Sequence, residues 1–225
     1  MTTTVLDRPS PGEDTQHAAP VEPPPRSGPL RDRSLGVLLT LAGLVGLAAS
    51  AVLLVEKIEL LKNPDYVPSC SINPILSCGS IMNSWQADVF GFPNPIMGVV
   101  GFAVVSTVGV SLAAGATYPP LFWRALQAGA ALGVIFVHWL IFQSLYRIDA
   151  LCPYCMVVWI VTTTVFWYVT TRNARVSPGR RGALIDRIVR LGAEFHGLVI
   201  TSWTVVIAAL IAHRFWDYWL TVIPR

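Results

Sequence analysis

Charge is what this sequence has least of. Asp, Glu, Lys and Arg supply 13% of its 225 residues, where a soluble domain carries about a quarter. That deficit, beside a hydrophobic content of 53%, excludes an ordinary soluble fold. The charges that exist cluster between long apolar runs, and a formal net charge of +3 gives no reason to expect a nucleic-acid partner. Cysteine is equally sparse: Cys70, Cys78, Cys152 and Cys155 are the whole set. No CxxCH haem-attachment motif and no Gly-rich dinucleotide loop is present, so neither cofactor is expected to carry electrons here. The N-terminus lacks the early apolar region of a cleavable signal peptide.

Five long apolar runs are what is present, and they predict an all-α, polytopic membrane protein. Residues 1–33 hold Pro9, Pro11, Pro20, Pro23, Pro24, Pro25 and Pro29 among polar residues, a composition that buries no core and is expected to form a disordered cytoplasmic tail. The first span is expected from Leu35 to Val55, uncleaved although Ala49-Ser50-Ala51 imitates a cleavage site. A polar connection, 56–93, carries Cys70 and Cys78, with a short interfacial helix expected between Asn73 and Ser84. Later spans are expected at Pro95–Thr117, Leu121–Leu145, Cys152–Thr171 and Phe195–Ala212. The unit 34–171 reads as a four-helix core, 172–194 as an Arg-rich cytoplasmic connection, and 195–225 as a fifth span with a short outer C-terminus.

Lys and Arg near the span ends set the orientation. Arg172, Arg175, Arg180, Arg181, Arg187 and Arg190 share one connection; with Arg26, Arg31 and Arg33 they put the N-terminus in the cytosol. That stretch also reads as a contact for anionic membrane lipid, with Ala183–Ala193 as an amphipathic interfacial helix. All four cysteines then fall on the extracytoplasmic side of a cell membrane, where thiols oxidise.

Leu151-Cys152-Pro153-Tyr154-Cys155 opens the fourth span. Pro153 suits a first helical position, which places Cys152 at the helix N-terminus and Cys155 one turn in, on the same face. Exposed N–H groups and the positive dipole end there favour a thiolate. A disulfide across one helical turn closes too small a loop to stabilise the chain by loop entropy, so the pair reads as a redox centre. Cys70 and Cys78, taken alone, read as a structural disulfide closing a short loop; the second pair favours a redox role instead. Zinc held by all four thiolates is a third reading, set against the oxidising compartment and the missing second CxxC; no metal is expected. A helix-borne dithiol facing hydrocarbon can hand two electrons to a lipid-soluble acceptor, and a quinone (menaquinone or ubiquinone) fits best.

Cys70-x7-Cys78, Ser84, Asn94-Pro95-Ile96-Met97-Gly98 and Cys152-Pro-Tyr-Cys155, in this order and spacing over about residues 35–171, resemble the vitamin K epoxide reductase family. DsbB-type oxidases also use two cysteine pairs and a quinone but carry their CxxC in the first outer loop; here it comes last. The resemblance implies a membrane thiol oxidase built on a four-helix bundle, with a fifth transmembrane helix appended. It implies that Cys70 exchanges with a redox partner, that Cys78 attacks Cys152, and that Cys155 faces the quinone. Ser84 and Asn94 match polar residues near the quinone carbonyls. Trp159 stands where vertebrate members carry Tyr, which puts a hydrogen bond from this position in question while the ring can still stack. Many bacterial members carry a fused thioredoxin-like domain after the fifth helix. The chain stops at Arg225 without one, so the electron donor is expected to be a separate exported protein with a thioredoxin fold, resembling DsbA.

Alternatives stay open beside these roles. Ser84 can cap the short helix, Asn94 can be turn chemistry before Pro95, and Trp159 can be ordinary helix packing. His138 and Gln143, inside the third span, read as neutral groups bonded to a neighbouring helix. For the whole chain, vitamin K epoxide or quinone reduction driven by dithiols is a second reading, and a non-enzymatic scaffold with two structural disulfides a third.

Overall fold

Proline opens most of the long helices. A ring that has no N–H and fixes φ costs nothing at a first helical position, and Pro29, Pro95, Pro120 and Pro153 each start one. The computed structural model describes residues 29–176, 187 and 194–222. In chain order these form α1 (Pro29–Lys62), the short α2 (Cys78–Met82), a 3₁₀ turn (Trp85–Asp88), α3 (Pro95–Ala113), α4 (Pro120–Gln143) running into a π turn (Ser144–Ile148), α5 (Pro153–Val176), α6 (His196–Arg214) and α7 (Trp216–Val222). Five of these helices are long and apolar enough to cross a membrane, and the only strand-like pairing among the described residues is one isolated bridge. The fold is an all-α polytopic bundle.

Boundaries moved where local chemistry outran the apolar pattern. Residues 29–33, expected in the tail, start α1. Its other end runs past Val55 to Lys62, because Glu56-Lys57-Ile58-Glu59-Leu60-Leu61 continues in good helix formers. The interfacial helix expected between Asn73 and Ser84 is confined to Cys78–Met82, since the Asn73 side chain accepts hydrogen bonds from the Ile75 and Leu76 N–H groups (3.0 and 2.7 Å) and holds a turn there. The rest of the expected tail, most of the Arg-rich connection and the amphipathic helix at Ala183–Ala193 lie outside the described residues.

α1 and α3 make the closest pairing, antiparallel, with α5 against α1 and α4 against α5. Small residues let the first two backbones touch. A methyl group added at Gly36 would come within 2.5 Å of the Ala113 nitrogen, and one at Gly43 within 2.5 Å of Ser106 Oγ. Gly109 meets the Thr40 backbone, and Gly98 meets Ser50, in the same way.

Two buried clusters mark the opposite ends of the bundle. Leu35, Leu39, Val108, Leu112, Trp123, Val165 and Val169 fill one end. Leu53, Leu60, Met82 and three cysteines fill the other, where the C-terminal part of α1, the long connection and the start of α5 meet.

Candidate active site

Two neighbouring charges at the end of α1 hold the connection that carries Cys70 and Cys78. Glu56 and Lys57 are both buried, so each needs partners to offset lost hydration. The Glu56 carboxylate accepts hydrogen bonds from Tyr66 Oη (2.9 Å) and the Ser69 N–H (3.2 Å), and from the Ser69 hydroxyl. That fixes the segment just before Cys70. The bond to Glu56 also holds the Tyr66 hydroxyl above its ordinary range. Lys57 Nζ donates to the Met82 carbonyl (2.6 Å) and pairs with Asp88 (2.8 Å), fixing the segment after Cys78.

The connection is then registered against the CxxC helix by backbone alone. Leu76 and Leu151 form a parallel bridge: the Leu151 N–H donates to Ile75 C=O (2.7 Å) and the Ser77 N–H to Leu151 C=O (2.9 Å). Each side of this bridge leads into a cysteine. Cys78 follows Ser77, the N-cap of α2, whose hydroxyl accepts from the Ser80 N–H. Cys152 follows Leu151, and its carbonyl accepts from the Met156 N–H (3.0 Å), starting α5.

The outcome is a compact sulfur cluster. Cys70 and Cys78 are joined in a disulfide, while Cys152 and Cys155 are free. Cys78 Sγ lies 3.0 Å from Cys152 Sγ, and Cys70, Cys78 and Cys152, all buried, have their sulfurs within 4.8 Å of one another. Such a trio has the compactness of a thiolate metal site, but two of its members share a bond and offer no thiolate in this arrangement. Cys155 is half-buried, one turn in, between the sulfur cluster and an apolar cluster of Val137, Ile141, Leu145, Leu151, Trp159 and Phe215. The Cys152 thiol is pulled below its ordinary value, chiefly by the hydrogen bond from the Cys155 thiol, with the Cys155 and Tyr154 backbone N–H groups adding to it. Burial and the Glu56 carboxylate oppose them.

The remaining expected residues have distinct surroundings, and only Trp159 shares a cluster with Cys155. Ser84 Oγ donates to Ile81 C=O (2.6 Å), so its proton closes the end of α2. Asn94 Nδ2 donates to Gln86 C=O (2.6 Å), and its Oδ1 is buried without a partner. Gln86 in turn donates through Nε2 to Gln143 Oε1 (3.1 Å), which ties the 3₁₀ turn to the end of α4. Trp159 is 3% exposed and packs in the apolar cluster with Cys155. His138 lies in the last two turns of α4 and accepts at Nε2 from Trp203 Nε1 of α6 (3.0 Å), with Nδ1 on Val134 C=O (2.8 Å). An acceptor at Nε2 and a donor at Nδ1 describe a neutral imidazole.

Glu56, Lys57 and the bridge at Leu76 and Leu151 were not foreseen. A weak signal for the bridge is that an apolar pair stands just before each cysteine in question, Ile75-Leu76 before Ser77-Cys78 and Ala150-Leu151 before Cys152.

The sequence pattern of the vitamin K epoxide reductase family matches residues 37–170, a stretch that includes all four cysteines, α3 and α4, and most of α1 and α5. The chain belongs to the vitamin K epoxide reductase family. No curated protein matches it in a sequence comparison. Membership in the vitamin K epoxide reductase family, with five membrane-competent helices, makes this a multi-pass membrane oxidoreductase of disulfide chemistry in a family that uses quinones.

Proposed function

We propose that the protein is a membrane thiol oxidase. It takes electrons from an exported thioredoxin-fold dithiol partner at Cys70 and Cys78, passes them to Cys152 and Cys155, and delivers them to a quinone. The observation that carries this reading is the 3.0 Å approach of Cys78 and Cys152, close enough for a bond between the pairs to be traded.

Each step follows thiolate–disulfide exchange. With the helix pair oxidised, the Cys78 thiolate attacks Cys152 and expels Cys155 as a thiolate. Cys70 then attacks Cys78 and expels Cys152. The loop pair is now a disulfide and the helix pair holds two electrons, the same arrangement as in the structure. The lowered Cys152 thiol suits it to leave and to re-form the Cys152–Cys155 bond. The loop disulfide accepts a partner thiolate at Cys70, and release of the oxidised partner returns Cys70 and Cys78 to thiols.

A bound quinone supplies the acceptor for two electrons and two protons. The residues fit such a group: the unpartnered, buried Asn94 Oδ1 is an acceptor suited to a hydroquinone O–H, and Asn94 Nδ2 has a second N–H beyond the one given to Gln86. Ser84 has spent its proton on Ile81 and offers lone pairs only. Trp159 is buried in the apolar cluster against which Cys155 packs, a surrounding that disfavours water beside that thiol.

Purified full-length protein in lipid bilayers, given a reduced dithiol partner and a quinone, is expected to form partner disulfide and hydroquinone in equal amounts. Cys155→Ala is expected to stop both. Unimpaired quinone reduction by that variant contradicts the proposal. Efficient turnover with an epoxide and dithiol in place of quinone and partner would support the epoxide-reductase reading instead.

A further inference from the structure

α6 lies beyond the residues matched to the family, yet it fastens to the turn that delivers the CxxC. The chain reverses between α4 and α5 within Ser144–Leu151. Asp149 there is the only non-glycine residue of positive φ among those described (56°), a conformation most side chains resist but Asp tolerates. The turn is braced inside by two contacts between Ser144 and Ala150: the Ala150 N–H donates to Ser144 C=O (3.3 Å), and the Ser144 hydroxyl donates to Ala150 C=O.

Arg214, at the end of α6, braces it from outside. Its Nε donates to Leu145 C=O (2.9 Å), a carbonyl of the π turn that follows α4, and its guanidinium pairs with Asp149. The next residue, Phe215, is buried against the cluster that contains Leu145, Leu151 and Trp159. Deeper along α6, Trp203 bonds His138 on α4. The helix is therefore attached at two levels, and the upper attachment takes the Leu145 carbonyl and the carboxylate of Asp149, a residue two before the bridge that sets Cys152 beside Cys78.

We infer that Arg214 is a positioning residue for disulfide exchange: it clamps the Ser144–Asp149 turn so that Cys152 is held against Cys78. The inference deepens the relay reading and rests on it for its consequence in turnover. The positional effect itself is measured without a quinone. A guanidinium fork reaches a carbonyl and a carboxylate at once, and both acceptors lie on the turn. Without it, the Asp149 conformation and the free Leu145 carbonyl lose their outside partner, and the turn and Cys152 gain freedom together. Near-attack geometry is sensitive to displacements of this kind.

The test compares two engineered dithiols in full-length protein equilibrated with oxidised and reduced glutathione. Forming either disulfide converts one oxidised glutathione to two reduced molecules, so the equilibrium gives the effective concentration of one thiol at the other. The first dithiol, Cys78 with Cys152, is left by Cys70→Ala with Cys155→Ala. The second, Cys70 with Cys78, is left by Cys152→Ala with Cys155→Ala, and serves as a control held by Glu56 and Lys57 far from Arg214 in sequence.

Arg214→Ala is expected to lower the Cys78–Cys152 effective concentration about tenfold, with the control unchanged within about twofold and only part of the loss recovered by Arg214→Lys, which can reach one acceptor at a time. A Cys78–Cys152 change under about threefold, an equal fall in both dithiols, or full recovery with Lys overturns the clamp. The two readings fail separately. An unmoved dithiol in a wild-type protein that reduces quinone removes the clamp and keeps the relay. The expected shift in a wild-type protein that never reduces quinone removes the relay and keeps the clamp.

Discussion

The two cysteine pairs are held by different means. Cys70 and Cys78 sit on a connection outside regular structure for most of its length, fixed by side chains: Glu56 on one flank, Lys57 on the other. Cys152 and Cys155 are fixed by backbone, one as the first acceptor of α5 and the other a turn in. The proposed relay needs the loop pair to reach a soluble partner, and supports made of side chains can open one contact at a time. A pair built on a helix start keeps its spacing and its N–H groups whatever the loop does. The bridge between Leu76 and Leu151 is where the two modes meet, and Cys78 is the member of the movable pair that lies at that seam.

Cutting the seam has the largest expected effect. Cys78→Ser should lower partner-driven quinone reduction on the order of a thousandfold, while the Cys152–Cys155 pair is still oxidised by added quinone, as read by thiol labelling. Equal loss of both would mean that the pairs are not separable units.

Next is the anchor of the movable pair. Lys57→Met leaves Asp88 unpaired and the Met82 carbonyl without its donor, a loss of about 1–3 kcal/mol. It should weaken the Cys70–Cys78 disulfide in glutathione buffers and leave Cys152–Cys155 unmoved. A shift confined to the helix pair would reverse the assignment of supports.

Helices were legible because a membrane span must be a long apolar run with its backbone satisfied internally, and because Pro153, within the CxxC, marks the start of α5. The anchors were hidden for a physical reason. Glu56 and Lys57 follow the apolar run and read as solvated loop charges, yet α1 continues through them and buries both. The bridge was hidden because it pairs one residue with another far along the chain and leaves no periodicity. Arg214 and Asp149 read as isolated charges near span ends, and only the fold brings them together. Ser84 and Asn94 were visible as candidates, but which of their atoms are free is a matter of partners, and the structure spends one hydroxyl and leaves one carbonyl oxygen open.

A smaller effect separates the two pairs by pH. Exchange needs the thiolate, and Cys152 ionises below the ordinary thiol value of 9.0. In protein with the loop pair closed, alkylation of Cys152 should therefore rise with pH about a midpoint under that value and fall away as acidity protonates the sulfur. Cys155→Ala removes the largest stabilising contact and should move the midpoint upward. A midpoint unchanged by that substitution would assign the shift to the helix N-terminus alone. The smallest expected effect is at Trp159. Trp159→Phe keeps an aromatic ring in the buried cluster and should leave turnover and the quinone KM within about twofold; a large rise in KM alone would favour direct stacking on the quinone.

The central claim is that Cys78 and Cys152 trade a bond. Peptide mapping of full-length Cys155→Ala protein under mild oxidation, blocked with acid and alkylating agent, tests it directly. The account predicts a substantial Cys78–Cys152 linkage, with Cys70 left as a free thiol in the same molecules. Finding only the Cys70–Cys78 linkage, with Cys152 alkylated throughout, would contradict it.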